Sequence, residues 1–145
     1  MNLAATLSMY AGGPGSGCQG PNCGRPRTVT FYHGTTGQAL RGILKNGLIP
    51  GSSLGVRRSK LDPLGYGRAK RGFVYLTKSQ GVARWYARYH KRQEGSGAHG
   101  VVLEVNLPID TARRYVEDDP DDLRVSARRL KGTIPAEYLR VKERV

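Results

Sequence analysis

Residues 28–36 read TVTFYHGTT and run without a spacer into GQALRGILKNG. The β-branched and aromatic run TVTFYH is a strand. In QALRGILKN, Leu40, Ile43 and Leu44 fall on one helical face, and Gly47 is the expected left-handed stop. Strand and helix are joined through His33, Gly34 and Thr35, so whatever fold forms must carry an imidazole and a glycine at a strand end. No other stretch limits the chain so tightly.

The remaining ordered pieces follow the same rules. GFVYLT is a second strand, and HGVVLEVNLP is the clearest one. LRVSARR and EYLRVKERV are two more, with partial alternation. Thr77 and Gln80 have capping-box spacing and open a helix expected from about residue 78 to 92. Val82, Ala83, Tyr86, Ala87 and Tyr89 form its inner face, while Arg84, Arg88, Lys91 and Arg92 point out. Several short strands with two clear helices predict an α+β domain built on an antiparallel or mixed sheet.

At 145 residues the chain suffices for one core. Residues 1–27 include a stretch rich in Gly and Pro that reads as a flexible arm, so the folded domain is expected over 28–145. Residues 51–72 form a second irregular stretch that carries Arg57, Arg58, Lys60, Arg68, Lys70 and Arg71. A loop of this length inside a compact domain is functional or disordered. EDDPDD, residues 117–122, reads as a solvated acidic turn. The 24 Lys and Arg against 11 Asp and Glu leave a net charge of +13, which favours nucleic acid or another polyanion as partner. Cys18 and Cys23 lack the further ligands that a structural zinc site needs, so no metal is expected. With neither a membrane-spanning run nor a secretory signal, a cytoplasmic monomer is the expectation.

Four residues carry the candidate chemistry: His33 before Gly34, Tyr75 in the second strand, Tyr86 in the helix after it, and Glu137 at the head of the last strand. Their succession, FYHGT, GFVYLT, RWYARYH, VVLEVNL and IPAEYLRV, resembles the ADP-ribosyltransferase superfamily of the His-Tyr-Glu type, shared by diphtheria-like toxins and poly(ADP-ribose) polymerases. The resemblance covers about residues 28–145. It implies a split, mostly antiparallel two-sheet fold with NAD, a substrate, in its cleft. It also implies residue roles: His33 on the adenosine ribose, the Gly34 backbone on the nicotinamide amide, Thr35 beside them, Tyr75 and Tyr86 on the two faces of the nicotinamide ring, and Glu137 as the catalytic carboxylate. The chemistry agrees with that last role, because cleaving the nicotinamide–ribose bond builds positive charge on the sugar and a carboxylate stabilises it. Glu104 is the next candidate. The Gly-rich arm resembles, more loosely, segments of tailed-phage head-morphogenesis proteins, and a phage-borne copy would act in the host cytoplasm.

The acceptor of ADP-ribose is expected to be macromolecular, with nucleic acid favoured over a protein side chain, held by Arg57, Arg58, Lys60 and Arg68. Pro135, two residues before Glu137, removes direct support for the arginine-modifying chemistry of relatives that carry Glu or Gln there. Other readings are a non-catalytic basic nucleic-acid-binding module with Tyr66 as a stacking residue, an RNA 2'-phosphotransferase-like enzyme, and a relative that keeps the fold without activity. Tyr75 in place of a second histidine counts against the phosphotransferase.

Overall fold

The computed structural model describes residues 27–50, 72–95, 97–120 and 126–145. Residues 1–26 of the expected arm, both cysteines, Tyr66 and the basic residues Arg57, Arg58, Lys60 and Arg68 lie outside these residues.

Strand β1 (Thr28–Thr36) extends through the whole His33-Gly34-Thr35 motif and passes at once into helix α1 (Gly37–Asn46). Thr36 ends the strand and caps the helix, its hydroxyl accepting from the Ala39 N–H at 3.2 Å. Leu40 and Ile43 are buried as the periodicity requires, whereas Leu44 is 45% exposed and lies off the buried stripe. Gly47 closes the helix at φ 86°, but its ψ of 177° makes the cap extended rather than left-handed helical. A Cβ here would also strike the Ile134 carbonyl, because Leu48 and Ile134 pair through backbone hydrogen bonds of 2.8 and 3.0 Å.

Strand β2 (Phe73–Thr77) leads to helix α2 (Gln80–Glu94). The cap of α2 is Ser79, which accepts from the Val82 N–H, and not Thr77, whose hydroxyl instead accepts from the Ser79 N–H at 3.0 Å. Strand β3 (Gly100–Pro108) follows, then helix α3 (Ile109–Tyr115) and strands β4 (Val116–Asp118), β5 (Ala127–Lys131) and β6 (Leu139–Arg144). A 3-10 turn, Ala136–Tyr138, precedes β6. Helix α3 was not legible in the sequence: only Thr111 and Ala112 of its seven residues are buried, too few for periodicity to register. The acidic stretch is not simply a turn either. Glu117 and Asp118 lie in β4 opposite Arg129 and Arg128 of β5, with ion pairs of 2.6 and 3.2 Å.

All strand pairs are antiparallel, in the order β4-β5-β2-β1-β3-β6. Nine residue pairs join β1 to β3 and five join β2 to β5, but only Tyr32 and Thr77 pair β1 with β2. Hydrogen bonding therefore keeps the six strands in one antiparallel sheet rather than the expected two, with the thinnest pairing, a seam, at that single pair.

Alternation along the strands divides the side chains between two faces. One carries Phe31, Val101, Leu103, Val105, Leu107, Val74, Leu76 and Leu130 into the main core, under α1, α3 and the Leu48–Ile134 bridge. The other carries Tyr32 and Val102, and α2 packs on it through Ala83 and Ala87. Helix and sheet come close because the residues between them are small. A Cβ on Gly34 would collide with the Ala83 carbonyl and lie 2.6 Å from the Ala87 nitrogen, and one on Gly100 would lie 2.7 Å from the Ala87 oxygen.

Gly34→Ala is therefore expected to destabilise the protein by about 3 kcal/mol, the scale of overpacking against backbone. Gly42, inside α1 with nothing within 4 Å of an added Cβ, is the internal control. There alanine should gain about 1 kcal/mol through helix propensity alone. Urea unfolding of the two variants measures both signs.

Candidate functional site

The geometry of the seam follows from β1 and β2 diverging beyond Tyr32 and Thr77. His33, one residue past the pair, turns its ring into the gap, and its Nδ1 lies 2.8 Å from the Tyr75 carbonyl oxygen. A carbonyl can only accept, so Nδ1 carries the proton and the neutral ring has Nε2 as its acceptor nitrogen. The hydrogen bond supplies one of the contacts that the missing strand pairing would otherwise make, and it fixes the ring plane.

Gly34 and Tyr75 lie on the α2 face by register, the first in β1 and the second in β2. Helix α2 crosses β1 at Gly34, and the Tyr86 Cβ is 3.0 Å from the point where a Gly34 Cβ would stand. Tyr86 is half-buried, with its ring edge-on to Trp85 at 5.0 Å. His33, Gly34, Tyr75 and Tyr86 thus lie around one seam, with Gly34 buried under α2 and the His33 side chain on the core face of β1, opposite the Tyr75 face. Thr35 is 8% exposed and sits in the strand past the gap, under the core face.

Glu137 is not part of this group. It is exposed in the 3-10 turn before β6, and β6 pairs with β3, on the side of β1 away from Tyr75. Leu139 is level with Val105 and so with Phe31, which leaves Glu137 two strand spacings from β1, about 10 Å, and towards its Val29 end. By strand order Glu137, the expected catalytic carboxylate, therefore stands apart from Tyr75, with β1 and β3 between their strands. A strand-head motif fixes a residue's place on its own strand, while the neighbour of that strand is a tertiary choice.

Glu104 does not fill the role. It stands opposite Tyr32, 5% exposed, and accepts from Asn106 at 2.8 Å while pairing with Arg140 at 2.8 Å and Lys142 at 3.4 Å. The Asn106 hydrogen bond and the two cations hold its pKa below the ordinary carboxylate value against the opposing effect of burial. A carboxylate so enclosed is structural.

Beside Tyr75 the sheet offers a cation instead. Arg129 of β5 faces Tyr75 and is 12% exposed; its guanidinium lies 4.3 Å from the Phe73 ring centre and its Nε donates to Glu117 at 2.6 Å. Its Nη1 is buried without a hydrogen-bond partner. Glu117, 53% exposed, is the carboxylate that the Arg129 pairing puts on the Tyr75 face. The sequence reading overlooked both residues, one as strand filler and the other as a turn acid; the pairing of β4 with β5 that joins them is not a local signal.

A cavity of about 420 Å³ opens elsewhere, between the start of α1 and the end of α2, lined by Gly37, Gln38, Glu94, Gly97, Ala98 and His99. None of the sequence candidates lines it, and the seam carries the more specific chemistry. No helix among the described residues is long and apolar enough to cross a membrane. Neither a scan against protein-family models nor a search of curated proteins finds a match.

The ion-paired Glu104 sets an acid limit on stability. Its folded pKa is depressed, so its contribution is complete above the ordinary value of 4.5 and is lost as pH falls through the lower folded value. Urea midpoints should drop below about pH 4.5 in the wild type, and Glu104→Gln should lower the midpoint at pH 7 while flattening that acid limb.

Proposed function

We propose that the protein binds NAD at the β1–β2 seam and transfers its ADP-ribose to a macromolecular acceptor with release of nicotinamide. One observation carries the reading: the lone Tyr32–Thr77 pair leaves a gap into which His33 is oriented by the Tyr75 carbonyl, with Gly34 and Tyr86 at its wall. The resemblance of FYHGT, GFVYLT and RWYARYH to the His-Tyr-Glu transferases supports the same ligand. In this reading His33 orients the adenosine ribose and Tyr75 and Tyr86 grip the nicotinamide ring, while Gly34, buried beneath α2, lets the helix bring Tyr86 close to the strand.

Departure of nicotinamide develops positive charge on the ribose, and a carboxylate held beside that charge stabilises the transition state more than the ground state. Of the exposed carboxylates Glu117 and Glu137, the first lies two strands from Tyr75 and the second three, so this reading assigns the role to Glu117. Nucleic acid remains the favoured acceptor on the charge of +13.

A second reading rests on Arg129. A guanidinium opposite Tyr75 with a buried, unpartnered Nη1 suits a phosphate monoester, and so favours 2'-phosphotransferase-like chemistry on RNA, which uses NAD at the same seam.

Calorimetry with NAD and an assay of nicotinamide release test both readings. Tyr75→Ala should weaken NAD binding at least tenfold, the loss of one stacked aromatic face. Glu117→Gln should slow nicotinamide release by about 100-fold, the effect of removing one transition-state electrostatic partner. Glu137→Gln should leave the rate at the wild-type level. Nicotinamide release that requires a 2'-phosphorylated RNA and fails in Arg129→Ala would select the second reading. NAD affinity unchanged by Tyr75→Ala would remove the seam as the site.

A further inference from the structure

We infer a second ligand site next to the seam: the cavity between β1, β5 and α3, lined by Lys78, Arg113 and Arg128 over an apolar floor, binds a sugar phosphate ester such as the ribose phosphate of a nucleotide. The cavity measures about 240 Å³, and its floor is Val29, Phe31, Ile109, Ala112 and Val116. That is about eight water volumes, room for one sugar phosphate but not for a dinucleotide. Phe31 and His33 lie two residues apart on the same face of β1, so the cavity begins about 7 Å from the seam histidine.

Three features select this ligand class. The first is charge: three cationic side chains converge on a site floored by hydrocarbon, and among the described residues no carboxylate pairs with Lys78 or Arg113. Arg128 is paired with Asp118 at 3.2 Å and also donates to the Ala127 carbonyl at 2.8 Å, which holds its guanidinium in place. The second is framework. Lys78 follows β2 directly, and its N–H donates to the Ser126 carbonyl at 3.0 Å, tying it to the residue before β5. Arg113 stands on α3, whose Ile109 N–H is held by the Arg27 carbonyl at 2.9 Å. The cations therefore come from three separately anchored backbone segments. The third is the mixed lining: inorganic anions gain nothing from the floor, whereas a phosphate attached to the carbon skeleton of a sugar uses both parts.

Two sources share this chemistry. NAD itself carries ribose phosphates, and so does a nucleic-acid acceptor. The site does not depend on NAD chemistry at the seam, since its residues are separate from His33, Gly34, Tyr75 and Tyr86.

The test is calorimetric titration of the full chain with AMP, using adenosine as the phosphate-free probe. Lys78 and Arg113 are exposed, so the double variant Lys78→Ala/Arg113→Ala should fold, and its urea midpoint checks that it does. AMP should bind the wild type at least tenfold more tightly than this variant, while adenosine binds the two alike. Repetition with NAD saturating separates the sources: AMP displaced by NAD assigns the site to NAD's own ribose phosphate, and AMP binding beside NAD assigns it to the acceptor. If no nicotinamide is released but rim-dependent AMP binding persists, the transferase reading falls and the site stands. Equal AMP affinity in wild type and variant, or loss of AMP binding only in Tyr75→Ala, would overturn it.

Discussion

The rest of the molecule depends on the approach of α2 to the sheet at Gly34 and Gly100. Helix and strands normally stand apart by the length of their side chains, but here the sheet contributes hydrogens and the helix contributes the methyl groups of Ala83 and Ala87. The short separation puts Tyr86 against the end of β1 and leaves the second face of β3 covered, so Val102 is fully buried and Glu104 nearly so. The ion pair of Arg84 with Glu143, at 2.5 and 3.2 Å, then pins the outer side of the helix to β6. A larger residue at Gly34 would lift the helix and move the aromatic wall of the seam with it.

The seam is the counterpart of that tight packing. A strand pair with full register would bring β2 flush against β1 and close the space between Gly34 and Tyr75. One pair at Tyr32 and Thr77 keeps the sheet continuous while letting the two strands diverge, and His33 occupies the divergence with a side-chain hydrogen bond in place of a ladder hydrogen bond. Polar groups of both strands are thus left outside the ladder beyond that pair.

Four of the eight described acids are held in ion pairs. Glu104 holds Arg140 and Lys142, Glu143 holds Arg84, and Glu117 and Asp118 hold Arg129 and Arg128. What remains outward is mainly cationic, and around the Phe31 cavity it gathers over hydrocarbon. Among the described residues 16 Lys and Arg stand against 8 Asp and Glu, and this excess would raise the rate of encounter with phosphates at low ionic strength.

The sequence by itself determined the local elements. The β-branched run before His33, the Leu40–Ile43 stripe, the strand VVLEVNL and the helix bearing Tyr86 all formed where composition and periodicity put them, because each is decided by residues within one or two turns of one another. It also determined that His33 and Gly34 end up together, since they are adjacent in the chain. Tertiary structure alone decided which strands are neighbours. Long-range pairing put β5 beside β2 and β6 beside β3, so Arg129 and Glu117 came to the face of Tyr75 while Glu137, which looked equally placed along the chain, was carried to the far side. No short window encodes that choice: strand order is settled by how Leu103, Val105, Leu107, Leu130 and Ile134 share one buried core, a sum over residues far apart in sequence.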